Sequence, residues 1–238
     1  MANLFRFWQK LFSRVRLWKS GKRLEFKIEN YVIKELNPND SEEIKAAQKL
    51  RCEIFYKKLN WNVKCSIDGR EFDRYDEYAT HFGIFDSTGK LIATSRILTY
   101  DNPYGFMFQN EFRELLDPTD INKMELKKVV EISRLCIDPT FEKVLLRGHK
   151  LIEYLYKIMY KWSKVHQKRF WVFCVNEKYL QHLQKTFPIP FYTIGKGKEY
   201  QKGEISQMIM VDLKKAEIET IIHFIKPRIA KLFIFFKK

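Results

Sequence analysis

Apolar residues return at helical spacing through the first 24 positions, at Leu4, Trp8, Leu11, Val15 and Trp18, and every charge among them is basic. This predicts a basic amphipathic helix over residues 1–24. Two placements fit it: flat on an anionic bilayer, or packed on the protein with its basic face solvated. Residues 25–36 then alternate apolar and polar positions (Phe26, Ile28, Tyr31, Ile33) and predict a strand. Asp40 and Glu43 stand at capping-box spacing and start a helix running to about residue 59, with Arg51 and Phe55 on one face. Residues 60–79 lose the periodicity and are dense in acids and aromatics, a loop too long for a mere connection.

Two apolar runs, 81–85 and 91–99, flank Asp86-Ser87-Thr88-Gly89-Lys90 and predict a hairpin. Residues 108–116 suit a short helix. Residues 129–137 suit a strand stopped by Asp138-Pro139. Leu146, Ile152, Leu155, Met159 and Trp162 share one face of a helix over 145–164. A buried strand at 170–175, a short helix at 177–185 and a last strand at 205–213 follow. A basic, apolar tail with Pro227 breaking its helix completes the chain. This order implies an α/β (α+β) domain over 25–213, with a mixed, mostly antiparallel sheet flanked by helices. Segments 1–24 and 214–238 form basic ends.

Lysine and arginine number 44 against 29 acids, a net charge of +15. That excess predicts an acidic partner: nucleic acid, an anionic membrane surface or an acidic protein. The basic residues are scattered and form no known nucleic-acid module, which disfavours the first. The four cysteines are far apart with no CxxC spacing, so they are expected as reduced cytosolic thiols. No apolar run reaches the ~18 residues of a membrane span, and no signal peptide is evident. The expected location is the cytoplasm, with peripheral contact on the inner membrane face through the basic ends.

Glu71, Asp73 and Asp76 lie within one short stretch and repel unless cations sit among them. Arg51, Arg96 and Arg134 each fall in or beside an apolar run, where a lone charge is costly. The arginine fork matches carboxylates, so an acid–arginine network is a sensible structure. It could equally be a surface loop with ordinary ion pairs, or a site in which a carboxylate receives an amine's proton. By alternation, Glu131 and Ser133 would face one side of their strand, and Ile132 and Arg134 the other. Cys136 and Cys174 read as core residues. The five histidines lack metal-ligand spacing. Arg147-Gly148 could offer a helix N-terminus to a phosphate, a generic feature. The Arg/Gln-x-x-Gly-x-Gly loop of acetyl-CoA enzymes is absent, as are the Walker and dinucleotide fingerprints.

Arg51-x3-Phe55-x5-Trp61, then Glu71-x-Asp73-x2-Asp76, then Arg96, Phe112 and Glu131-x-Ser133-Arg134 resemble the acyl-homoserine lactone (autoinducer) synthase family and the related N-acyl amino acid synthases. The resemblance spans residues 45–137 and includes the run from Arg96 through Asn102-Pro103-Tyr104 to Phe112. Thr80-His81-Phe82 is closer to the N-acyl amino acid synthases, and Ala47-Gln48-Lys49-Leu50-Arg51 is similar to the ornithine-lipid N-acyltransferases. The resemblance implies a GNAT-like fold and no bound cofactor. The donor it implies is an acyl-phosphopantetheine thioester on acyl carrier protein, or on coenzyme A. The acceptor is the amine of an amino acid or of S-adenosylmethionine. Arg51, Phe55, Trp61, Phe112 and Ser133 would bind substrate. Glu71, Asp73, Asp76, Arg96, Glu131 and Arg134 would be catalytic, with Glu71 a base acting through water and the 135–137 backbone an oxyanion hole. Alternatives are an ornithine-lipid type acyltransferase, or a non-catalytic module that binds membranes or a carrier protein.

Overall fold

The computed structural model describes residues 23–117, 119–120, 124–201 and 203–220. The amphipathic helix expected over 1–24 falls almost wholly outside the described residues, and the tail beyond 220 with Pro227 wholly so. Strands β1 (Glu25–Ile28) and β2 (Tyr31–Glu35) replace the single strand expected over 25–36. Glu29 enters the left-handed region at φ 52° and reverses the chain there. Helix α1 (Ser41–Arg51) follows, then β3 (Thr80–Phe85), β4 (Leu91–Thr99) and β5 (Val129–Ile137). After a small hairpin, β6 (Leu145–Leu146) and β7 (His149–Lys150), come α2 (Leu151–Val165), β8 (Phe170–Asn176) and α3 (Glu177–Thr186). Strands β9 (Tyr192–Thr193), β10 (Lys198–Gln201) and β11 (Glu204–Asp212) close the sheet, and residues 213–220 are helical.

The sheet order is β1-β2-β3-β4-β5-β8-β11-β10, with β9 beside β11. Every pairing is antiparallel except β5 with β8. That parallel ladder joins only Val129–Glu131 to Phe170–Val172, so the strands separate beyond Glu131 and open a fork in mid-sheet. Helix α2 buries Leu151, Leu155, Ile158, Met159 and Trp162 on one face, against Ile33, Phe82, Ile84, Ile97, Val130 and Ile132. Helix α1 brings Ala47 and Leu50 into a separate cluster with Leu36, Leu91 and Cys136. A further cluster, holding Tyr75, Phe106, Met107 and Phe108, packs with Leu98, Val129, Val172 and Met208. The mixed, mostly antiparallel sheet flanked by helices is the architecture expected from the element order.

Local departures have physical causes. The helix expected from 41 to 59 is an α-helix only to Arg51 and a π-helix over Cys52–Lys58. Asp40 caps it by accepting from the Glu42 and Glu43 amides at 3.0 and 3.2 Å. Glu43 does not return the bond; it accepts from the Asn37 amide at 2.9 Å and pairs with Lys34, so the capping box is half made. The helix expected from 145 starts at Leu151, because Arg147 and Gly148 both take positive φ (52° and 81°) and turn residues 145–150 into a hairpin. Arg147-Gly148 therefore does not open that helix. The short helix expected over 108–116 is two 3-10 turns, Met107–Gln109 and Arg113–Leu115.

The cysteine expectation is corrected. Cys52 and Cys65 form a disulfide, and only Cys136 and Cys174 are free. The two are 13 positions apart, one in the π-helical turn and the other in the loop that folds back beside it, a spacing that matches no compact cysteine motif. Asp40→Ala is expected to lower unfolding free energy by about 1 kcal/mol through loss of the cap, read from urea denaturation with unchanged slope.

Candidate active site

Arg51 ends α1, only 1% exposed. Its Nη1 donates to Asp76 Oδ1 at 2.8 Å, and its Nη2 to Asp76 Oδ2 and, at 2.6 Å, to the Glu71 carbonyl. Its Nε lies 2.7 Å from Glu71 Oε2, a charge contact too poorly aligned to count as a hydrogen bond. Arg96, fully buried in β4, donates from Nη1 to Asp73 Oδ1 (2.6 Å) and Asp76 Oδ1 (2.7 Å), and from Nη2 to Asp73 Oδ2 (2.7 Å). Its Nε donates to Ser133 Oγ at 3.0 Å. Arg134 donates from Nε to Glu71 Oε1 (2.9 Å) and from Nη2 to Asp73 Oδ2 (2.8 Å). The contacts close a ring of alternating charge: Arg51, Glu71, Arg134, Asp73, Arg96, Asp76 and back to Arg51.

The ring depends on a β-bulge. Between Thr94 and Arg96 the register advances two residues in β4 but three in β5, and Arg134 sits there at φ 55°. The extra residue breaks the alternation. Arg134 consequently reaches Asp73, which Arg96 also reaches, and Arg96 also holds Ser133, while Ile132 stays in the core against α2. The expectation that Arg134 faces away from Ser133 is thus corrected.

Burial alone would push the Asp76 carboxyl up, but hydrogen bonds and charge from Arg51, then the charge of Arg96, hold it well below the usual range. Asp73 is likewise buried and likewise held low, by Arg96 and Arg134. Burial disfavours charge on Arg96, yet Asp73 and Asp76 more than offset it and keep the guanidinium firmly protonated. His81 donates from Nε2 to the Asp76 carbonyl at 2.9 Å. Burial, beyond the pull of Asp76, lowers His81 to about 4, so it is neutral at pH 7.

Glu131 lies just outside the ring, at the last paired residue before the fork. Its Oε2 accepts from the Met107 amide at 2.6 Å, and Met107 Sδ touches Arg96 Nη2 at 3.2 Å. Burial pushes the Glu131 carboxyl up to about 8, against smaller lowering effects of the Met107 and Phe108 amides and Arg96. Phe55 and Trp61 stack in parallel at 4.9 Å, beside the ring in sequence but not bonded to it. Phe112 packs with the cluster of Phe106, Met107 and Phe108. The structure thus joins Arg51, Glu71, Asp73, Asp76, Arg96, Ser133 and Arg134 directly, links Glu131 through Met107, and leaves Phe55, Trp61 and Phe112 at the margin.

Sequence reasoning gave no role to Tyr75 and Glu111. The Tyr75 hydroxyl donates to Glu111 Oε2 at 2.6 Å and Arg74 donates to Glu111 Oε1 at 2.9 Å, tying the acidic loop to the turn before β5. A tyrosine between paired acids was the available signal. Chemically, Asp73 and Asp76 are held by guanidinium groups and are poor proton acceptors. Glu131 has a proton affinity near neutrality, suited to moving a proton.

The model of the Autoinducer synthase family matches residues 35–221. The chain belongs to the autoinducer synthase family. An acyl-homoserine-lactone synthase of Pectobacterium parmentieri is 36% identical over 99 residues, 41% of this chain and 42% of that protein. The chain spans about half the length of the curated relatives it matches. Among solved structures, the AHL synthase LasI superposes with a TM-score of 0.62 at 19% identity, covering 84% of this chain and 95% of that one. BjaI, a CoA-dependent acyl-homoserine lactone synthase solved with SAM and isopentyl-CoA, gives 0.63 at 14%, covering 78% and 85%. A Lactobacillus plantarum protein assigned as an N-acetyltransferase gives 0.50 at 12%, covering 76% and 98%. At these identities the likeness is one of fold, and the fold is GNAT-like. In this autoinducer synthase family member, the ring and Glu131 lie on the end of α1, β4, β5 and the loop before β3, all inside the matched stretch.

Two stability outcomes follow. Arg134→Ala strands Glu71 Oε1 and leaves Asp73 with Arg96 as its remaining guanidinium partner, and is expected to cost about 3–5 kcal/mol, read by chemical denaturation. The Asp73 and Asp76 carboxyls sit below their unfolded values, so their stabilisation is complete above those values and drains as pH falls through the lowered ones. Glu131 has the opposite sign: its burial costs nothing below its unfolded value of 4.5, and the penalty grows as pH rises toward about 8. Denaturation across pH should therefore show Glu131→Gln gaining on wild type between pH 5 and 8 and matching it at pH 4.

Proposed function

We propose that this chain is an N-acyltransferase that joins a fatty acyl thioester to the α-amine of S-adenosylmethionine or a closely related amino-acid acceptor. The observation that carries this reading is a carboxyl of near-neutral proton affinity, Glu131, placed where β5 and β8 part. A thioester lying in the fork would present its carbonyl to β5. The backbone N–H groups of residues 135–137 that turn toward the fork have no β8 partner there, and they can receive the carbonyl oxygen as it gains charge. The acceptor nitrogen attacks the carbonyl carbon, the N–C bond forms and the C–S bond breaks. The thiol leaves with one proton, and the ammonium's surplus proton passes to Glu131 directly or through water. With S-adenosylmethionine as acceptor, its carboxylate can then displace the sulfonium to close a lactone.

In this reading the charged ring positions groups and does not turn over protons. Glu71, expected as a water-mediated base, keeps Arg134 and Arg51 in place, and Asp73, Asp76 and Arg96 fix the loop that meets the acceptor. Phe55, Trp61 and Phe112 supply apolar walls, and Ser133 orients Arg96. The net charge of +15 favours an acidic acyl carrier protein as the bearer of the thioester, by steering encounter. The CoA-dependence of BjaI supports coenzyme A as the alternative bearer. Both donors are thioester carriers of the cytoplasm, which supports a cytoplasmic location. Among the described residues no helix is long and apolar enough to cross a membrane. The basic ends at 1–24 and 214–238 support peripheral contact with an anionic surface.

The test is mass spectrometry of the purified chain incubated with acyl carrier protein or coenzyme A thioesters and S-adenosylmethionine. A new amide or lactone with wild type, absent with Glu131→Gln, supports the reading, and its mass names acceptor and chain length. Glu131→Gln should lower kcat on the order of a hundredfold or more and keep its fold. An unaltered rate in that variant removes Glu131 from proton transfer. If the carrier protein is the donor, kcat/KM should fall steeply with added salt.

A further inference from the structure

The Cys52–Cys65 disulfide joins the two chain segments that build the acceptor side of the site. Cys52 directly follows Arg51, one member of the charged ring. Cys65 forms an isolated antiparallel bridge with Glu71, another member. Between the two cysteines, 13 positions apart, lie Phe55 and Trp61, stacked on one another, with the Trp61 amide donating to the Phe55 carbonyl at 2.8 Å. Outside the disulfide, Ile54 and Phe55 are buried in the α1 cluster, and Trp61 and Val63 pack against it. The Glu71 amide donates to the Gln48 carbonyl at 3.0 Å, while Tyr56, Leu59 and Ile67 are exposed. The other two cysteines are poor redox partners, since burial pushes both thiols up to about 12. Cys52 is fully buried and Cys65 half-buried, so an attacking thiolate meets Cys65 first.

We propose that Cys52–Cys65 is a reversible redox modification site that sets how firmly residues 52–71 hold the amine acceptor. A dithiol reductant of the thioredoxin type attacks the Cys65 sulfur and displaces Cys52 as its thiolate. The reductant's second thiol then resolves the mixed disulfide. Two electrons and two protons pass to the protein, which ends with two free thiols, and the reductant ends as a disulfide. Oxidation by a small-molecule disulfide runs the same steps backwards. In the reduced form the covalent tie is gone, the Phe55–Trp61 segment is held by the Cys65–Glu71 bridge and by packing on the α1 cluster, and the loop opens more often. In a reducing compartment the open form predominates, and an oxidising shift tightens the acceptor side. The part of this inference that concerns the acceptor rests on the proposed function; the part that concerns the loop does not.

The test uses the full chain, oxidised with glutathione disulfide or reduced with dithiothreitol. Alkylation in denaturant should modify two cysteines of the oxidised protein and all four of the reduced one. Hydrogen exchange over residues 59–76 should quicken on reduction and leave the α2 amides unchanged. The KM for the acceptor should rise on the order of tenfold with kcat nearly constant, and Cys65→Ser should behave as the reduced form whether or not dithiothreitol is present. Four reactive thiols after oxidation, or identical exchange in the two states, overturns the proposal. Should Cys65→Ser fail to fold, the comparison of reduced and oxidised wild type still decides. Should neither state acylate any acceptor, the proposed function fails, and exchange alone decides the redox site.

Discussion

Three guanidinium groups and three carboxylates, closed into a ring, fix everything around them. Arg51 and Arg96 are among the most deeply buried side chains of the protein. A buried cation is tolerable only when anions and acceptors surround it, so the loop carrying Glu71, Asp73 and Asp76 has essentially one place to lie. That placement orders a segment with little regular structure of its own. It also pins the end of α1 to the middle of β4 and β5. Because the charges balance within the ring, the site's surroundings are electrically quiet and its polarity is confined to a few bond vectors.

Glu131 is only three residues from Arg134 but lives in another environment. It meets two backbone amides and no direct guanidinium partner, so burial dominates and its proton is held to near pH 8. Glu131 thus differs in proton affinity from Asp73 and Asp76, because those two are paired with arginine and it is not. The strand carries both functions by bulging at Arg134 and by losing its β8 partner after Glu131. One irregularity aims a side chain, and the other exposes backbone.

Much of this was legible in the chain. Charges inside apolar runs, at Arg51, Arg96 and Arg134, signalled partners, and the clustered acids named them. The 86–90 turn and the alternation in 129–137 placed β3, β4 and β5. What stayed hidden has physical reasons. Arginine does not advertise a positive φ as glycine does, so the bulge that turns Arg134 around left no mark. Leu145 and Leu146 fit a helical stripe, and only the backbone at Arg147 and Gly148 shows that they belong to a hairpin. Cys52 and Cys65 come together because the π-helical turn and the following loop meet in space, a fact of three dimensions that no spacing encodes.

The ring also bears on how the chain reaches its native state. Arg134 meets Glu71 at a sequence separation of 63, and Arg51 meets Asp76 at 25. On a ribosome, Arg51 and the acids emerge well before the residue that completes their circuit. Until β5 arrives they gain little by leaving water, since an open ring leaves a desolvated charge unmatched. Non-local contacts of this kind form late, so the electrostatic centre of the protein is a lock turned at the end of folding. A chain whose hydrophobic sheet is already assembled would still lack an ordered 60–79 loop, and such a species would be compact and largely native in secondary structure.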